Sequence, residues 1–171
     1  TKTWRTPVYS RDQEVLPGVG YNLYCRHIGG GQYTWDIWLG PGAAETYLWV
    51  ILRTVTPCSR TTFDHVVFMY DGTDAQIVIN GEQVSYDLIH GNVPVVTGFT
   101  GRQSVTFTVN SDEPFYVNGA PWDTDDTGHS FSVAYVAVYR RPISVEEAKY
   151  RHRHLVNLLS PLNMSNLSPS F

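Results

Sequence analysis

Residues 110–126 read NSDEPFYVNGAPWDTDD and gather the groups that a sugar-binding or cation-binding loop uses. Trp122 stands among Asn118, Asp123, Asp125 and Asp126. A glycan site needs an aromatic platform for the apolar face of a ring, and a few amide and carboxylate groups to fix its hydroxyls. A tryptophan in a polar loop with Gly and Pro has no strand to bury it, so Trp122 leads the ligand-binding candidates. Hard oxygen donors in one loop also suit Ca²⁺, which makes Asp112, Glu113, Asp123 and Asp125 candidate ligands. Their spacing matches no EF-hand, because the required glycine and terminal glutamate are missing. The alternative is an acidic loop that is simply solvated, with no cofactor bound.

A second set of candidates lies in two short apolar runs. In YTWDIWLG (33–40), alternation places Tyr33, Trp35, Ile37 and Leu39 on one face and Thr34, Asp36 and Trp38 on the other. In YLWVILRT (47–54), Leu48, Val50 and Leu52 form the core face, leaving Tyr47, Trp49 and Arg53 opposite. If both strands share a sheet, Asp36, Trp38, Tyr47, Trp49 and Arg53 make an outward aromatic and polar surface. That surface is either a binding face or one that loops or a partner cover.

Catalysis finds little purchase. Glycoside hydrolysis needs two carboxylates facing one groove, about 5 to 9.5 Å apart. Asp36 is the only acid in its strand, and the others cluster in loops. No Gly-x-Ser-x-Gly motif is present, nor a Cys/His pair in a suitable context. His65 sits inside an apolar strand and reads as a packing residue. A non-enzyme is expected. Cys25 and Cys58 allow one disulfide or two thiols, and they are too few for a zinc site, with no CxxC. Asn163-Met164-Ser165 and Asn166-Leu167-Ser168 are N-glycosylation sequons, meaningful only in a secreted chain.

The elements that must position these residues are mostly strands. Residues 1–22 read as a leading strand with loops, and GGGQ (29–32) as a turn before the 33–40 strand. HVVFMY (65–70) and QIVI (76–79) pair across a DG turn. EQVSYDLI follows Asn80-Gly81, the strongest short-range hairpin signal, because both positions accept positive φ. A loop with Gly91, Pro94 and Gly98 leads to SVTFTV (104–109), and FSVAYVAVY (131–139) reads as a buried strand. Seven or more short strands with turn signals between them predict an all-β sandwich. The single predicted helix opens on Ser144-Val145-Glu146-Glu147, a capping box, and carries Lys149, Arg151, His152, Arg153 and His154 in its C-terminal half, where cations complement the helix dipole. That basic run reads as a solvated face rather than a binding patch.

The chain has 171 residues, of which 42% are hydrophobic and 16% charged, with a net charge of −4. One domain with a real core is expected over 1–171, its body at about 20–157 and a tail at 158–171. No Lys/Arg run interleaves with aromatics, so a nucleic-acid groove is not expected. No apolar run approaches the roughly 18 residues of a membrane helix. The start carries no signal peptide, which suits a mature chain or an excised domain. Aromatic residues, at 13%, serve sandwich packing or sugar stacking.

FDHVVFMYDGTDAQIVINGEQV (63–84) resembles the central signature of the concanavalin A-like, laminin G-like jelly-roll family. There an aromatic-x-His-Val-Ala strand leads to Tyr-Asp-Gly, and the next strand ends in Val-Asn-Gly. Phe63, His65, Val66, Tyr70, Asp71, Gly72, Ile79, Asn80 and Gly81 stand at those places. VAVYRRPISVEEAKYRH (136–152) is similar to the family's second signature, a late strand running into a Leu-Ser-x-Glu-Glu helix, through Tyr139, Arg141, Ile143, Ser144, Glu146 and Glu147. The resemblance spans roughly residues 30–155. One departure is Val133-Ala134-Tyr135, where relatives often carry Ile-Asp-Glu. The alternating carboxylates (Glu-x-Asp-x-x-Glu) of hydrolases with this fold are also missing.

The resemblance implies a two-sheet antiparallel jelly roll with one short C-terminal helix, and fold alone does not choose a function. The expectation drawn is a non-catalytic, lectin-like recognition domain, secreted or exposed on a cell or virion surface, that binds a glycan. Its alternative is a protein–protein adhesion or assembly module, including a viral spike head that binds a cell-surface receptor. A glycoside hydrolase or lyase relative comes third.

Overall fold

The computed structural model describes residues 4–12, 18–58, 62–109, 114–117 and 132–159. Two antiparallel sheets carry most of them. The larger has seven strands: β1 (Trp4–Asp12), β2 (Val19–Gly29), β3 (Gln32–Leu39), β4 (Val50–Thr54), β8 (Tyr86–His90), β9 (Val93–Phe99) and β11 (Tyr116–Val117). Their order across the sheet is β11-β1-β2-β3-β4-β8-β9. The smaller sheet is built from β5 (Val66–Tyr70), β6 (Asp74–Ile79) and β10 (Gln103–Ser104) in the order β10-β6-β5, with β7 (Glu82–Gln83) also paired to β6. A 15-residue helix, α1 (Val145–Leu159), follows. No helix among the described residues is long and apolar enough to cross a membrane.

Alternation decides which side chains meet between the sheets. Cys25, Trp35, Ile37, Leu39, Val50, Leu52, Tyr86 and Leu88 of the large sheet pack with Ala75 and Ile77 of the small one, flanked by Val66, Phe68 and Tyr70. Burial pushes the Tyr86 hydroxyl up to about 12, and it donates to the carbonyl of Gly101 at 2.8 Å. A second cluster lies on the other face of the small sheet. There Met69 and Val78 meet Ile143 and Ala148 of the helix region.

The turns follow their residues. Asp71 Oδ1 accepts from the amides of Thr73 (3.1 Å) and Asp74 (2.8 Å), closing the β5–β6 connection as an Asx turn. Asn80 and Gly81 both take positive φ, 55° and 80°, so the β6–β7 hairpin is the tight turn that this dipeptide predicts. Gly81 has a second duty: a Cβ there would meet Lys149 Cα at 2.8 Å, so its bareness lets α1 lie on the hairpin. Ser144 Oγ accepts from the Glu147 amide at 3.0 Å and caps α1. The other half of the capping box is not made. Glu147 instead holds Arg141 (2.8 and 2.9 Å) and Arg151 (2.7 and 3.1 Å), which keep its carboxyl down at about 2.

Four segments differ from the sequence reading. Residues 93–99, expected as loop, form β9; Pro94 is tolerated because β9 is an edge strand whose missing N–H breaks no ladder. SVTFTV keeps its alternation but not its ladder. Val105 donates to Thr73, whereas Thr108 donates to Gly40 and accepts from Gly20, so the chain crosses from one sheet to the other. Residues 132–139 form no strand, and Tyr135 (55%) and Val138 (69%) are exposed. Arg151 anchors the end of that segment, its guanidinium 4.3 Å over the Tyr139 ring. Leu48, expected in the core, is exposed because residues 46–48 bend away before β4 begins.

Candidate functional site

The outward face of the large sheet collects the aromatic and charged residues. Strand register places Asn22 beside Trp38, Tyr24 beside Asp36, and Asp36 beside Arg53. Side chains across such pairs are about 4.5–5.5 Å apart at Cβ, so two adjacent strand-to-strand rows form, Asn22–Trp38 and Tyr24–Asp36–Arg53. Trp38 sits between two rings: Tyr24 edge-on at 5.5 Å, and Trp49 tilted at 6.0 Å. Such edge-to-face groups are favoured by the ring quadrupole. Gly18 admits the Trp49 ring, since a Cβ there would stand 2.6 Å from its Cη2. Tyr24, Trp38 and Trp49 are all partly exposed.

Asp36 is the electrostatic centre of this face. Its carboxylate accepts from Arg53 Nε at 3.0 and 3.2 Å and from Nη2 at 2.9 Å, the bidentate geometry that arginine favours. Thr34 Oγ1 adds a longer contact at 3.4 Å. The side chain of Asp36 is 0% exposed and that of Arg53 is 23% exposed. Burial pushes the Asp36 carboxyl up, opposed by the Arg53 hydrogen bonds and by the charges of Arg53 and Arg26. Asp36 therefore lies on the expected face but beneath the surface. It positions Arg53 and offers no oxygen of its own to a ligand in bulk water.

Of the residues expected on this face, Trp38, Trp49, Arg53 and Asp36 come together. Tyr47 does not join them. The bend at 46–48 breaks the alternation and turns its ring to stack on His90 at 4.5 Å, against the inter-sheet core. Three residues absent from the sequence reading complete the face: Asn22, Tyr24 and Arg26 of β2. Asn22 is 0% exposed and donates to the Tyr24 hydroxyl at 3.1 Å. Alternation in YNLYCRHI (21–28) carries the signal that would have found them, because Tyr21, Leu23 and Cys25 take the core face.

The loop candidates Trp122, Asn118, Asp123, Asp125 and Asp126 lie outside the described residues, as do the calcium candidates Asp112 and Glu113 and the sequon residues Asn163 and Asn166. Among the described residues, no three His, Cys, Asp or Glu side chains gather as a metal site.

Two further groupings stand elsewhere. A cleft of about 1520 Å³ opens between the sheets, walled by Leu23, Ile37, Val66, Phe68 and Phe107 and bordered by residues 132–139. Its apolar walls are interrupted by polar side chains, among them Asp64, His65, Asn80, Arg141 and Glu147. At one end, Asp64 accepts from Trp35 Nε1 (2.9 Å) and Asn80 Nδ2 (3.0 Å), while Asn80 Oδ1 accepts from the His65 amide at 2.7 Å. The His65 ring then stacks on His152 of α1 at 5.8 Å, nearly parallel. His65 thus packs against the helix and spaces it from the β6–β7 hairpin.

No family model, no curated protein and no solved structure matches this chain.

Proposed function

We propose that this chain is a non-catalytic recognition domain of the jelly-roll, concanavalin A-like type, exposed outside a cell or on a virion, and that it binds a glycan on the outward face of the large sheet. The observation that carries the reading is the row of partly exposed rings Tyr24, Trp38 and Trp49 beside the guanidinium of Arg53. Aromatic faces accept the C–H faces of sugar rings, and a fixed guanidinium donates to hydroxyls or carboxylates. Asp36 supports the site by holding Arg53 in one orientation. The sequence of residues 110–126, with Trp122 among Asn118, Asp123, Asp125 and Asp126, supports a ligand-binding role for Trp122 as well.

The non-catalytic part of the reading draws support from how four of the described carboxylates are used. Asp36 is tied to Arg53, Asp64 to Trp35 and Asn80, Asp71 to its own turn, and Glu147 to two arginines. Each is occupied by a structural partner, whereas a general acid or nucleophile must face substrate.

A glycan array probed with and without a calcium chelator tests the proposal. Wild-type protein binds a defined glycan class, and Trp38→Ala lowers the affinity at least tenfold while the melting temperature moves by only a few degrees. A hit abolished by chelation assigns calcium to the acidic loop. No hit at high protein concentration, together with capture of a protein receptor, would hand the face to the adhesion reading.

A further inference from the structure

We infer that Cys25 and Cys58 form a site of reversible disulfide closure that ties the β4–β5 connection to the middle of the large sheet. Their sulfurs stand 3.6 Å apart, in contact as thiols, although the residues are 33 positions apart in sequence. Neither lies there by accident of a flexible loop. Cys25 projects from β2 into the inter-sheet core, and its register partner on β3 is Trp35. Cys58 is held by its own amide, which donates to the carbonyl of Tyr33 at 2.7 Å on the same strand β3. Two backbones anchored to one β3 strand present the sulfurs to each other. A bond length of about 2.05 Å is then reached by a small approach rather than by refolding.

The two cysteines divide the work. Cys58 is half-buried and Cys25 buried, so an oxidant in solution meets Cys58 first. The hydrogen bond with Cys25 holds the Cys58 thiol below its ordinary 9.0, which favours the attacking thiolate. With a small disulfide such as oxidised glutathione, the Cys58 thiolate attacks one sulfur and releases one glutathione thiolate. The Cys25 thiolate then attacks the Cys58 sulfur of the mixed disulfide and expels the second. Two cysteine thiols are oxidised, one glutathione disulfide is reduced to two thiols, and the two protons leave with the products. The closed bridge pins the chain just before Asp64, whose carboxylate joins β3 and the β6–β7 hairpin through Trp35 and Asn80.

The test is peptide mapping of the native chain after equilibration in glutathione buffers of graded redox poise, with remaining thiols alkylated before digestion. The expected result is a Cys25–Cys58 linked peptide that becomes dominant as the buffer turns oxidising, with a rise in melting temperature of about 10 °C. Cys25→Ser should instead trap glutathione on Cys58, because the resolving thiol is gone. Both thiols alkylated in the most oxidising buffer would overturn the inference. So would a wild-type chain that stops at the mixed disulfide, or one that links only between molecules.

Discussion

The Asp36 carboxylate is wholly buried on the outward face of the large sheet, beneath the guanidinium of Arg53. Period-two alternation puts it opposite Trp35 and Ile37, and the structure agrees. What alternation does not carry is the second residue of a pair, and the Arg53 guanidinium folds over the carboxylate from the neighbouring strand. Removing one member of a buried ion pair leaves its partner uncompensated, here with Arg26 close enough to repel it. Asp36→Ala is therefore expected to lower stability by about 3 kcal/mol, read as a shifted urea midpoint, and to weaken ligand binding by freeing Arg53. An unchanged midpoint would mean that solvent already screens the pair. Trp38 and Trp49 tolerate truncation better, since both keep one side toward water.

Helix α1 rests on the hairpin that carries Asn80 and Gly81, and two of its contacts make separable predictions. Gly81 combines φ of +80° with the 2.8 Å approach to Lys149, so Gly81→Ala meets both left-handed strain and backbone contact. A loss of about 1–2 kcal/mol is expected, with faster hydrogen exchange confined first to α1. The stacked rings of His65 and His152 predict a pH dependence. His65 faces His152 and Arg151, whereas His152 also feels Asp64 and Glu82; burial is the largest cause for both, and both are held below the ordinary 6.5. The unfolded chain then binds protons that the folded one resists, so stability is full above about 6.5 and falls as pH drops below it. Glu147, held at about 2, stays charged through that window and contributes nothing to the slope. Exchange rates of α1 amides at pH 7.5 and 5.5 check this, and His152→Gln should flatten the difference. The strands legible in advance are β3, which alternates, and β5 and β6, which are apolar runs on either side of a DG turn. β9 was hidden by Pro94, whose meaning depends on being at an edge. Residues 132–139 read as a strand because composition reports β-propensity but not whether a ladder partner is in place.

Taken whole, the molecule is two sheets with unlike duties. Its mostly β character and its capped helix follow from patterns visible in the chain, because alternation and turn chemistry are local. The outward face is only half legible, because residues 1–22 read as one leading strand with loops, which splits the β2 strand that supplies Asn22, Tyr24 and Arg26. The layering of α1 onto the small sheet has a consequence during synthesis. Met69 and Val78 turn away from the inter-sheet core and are covered by Ile143 and Ala148, which emerge from the ribosome long after them. At about 5–20 residues per second, the nascent hairpin shows a bare apolar patch for several seconds before its cover arrives. A chain stalled in that interval offers a hydrophobic handle to holdase chaperones, and one released early, without α1, would carry that handle permanently.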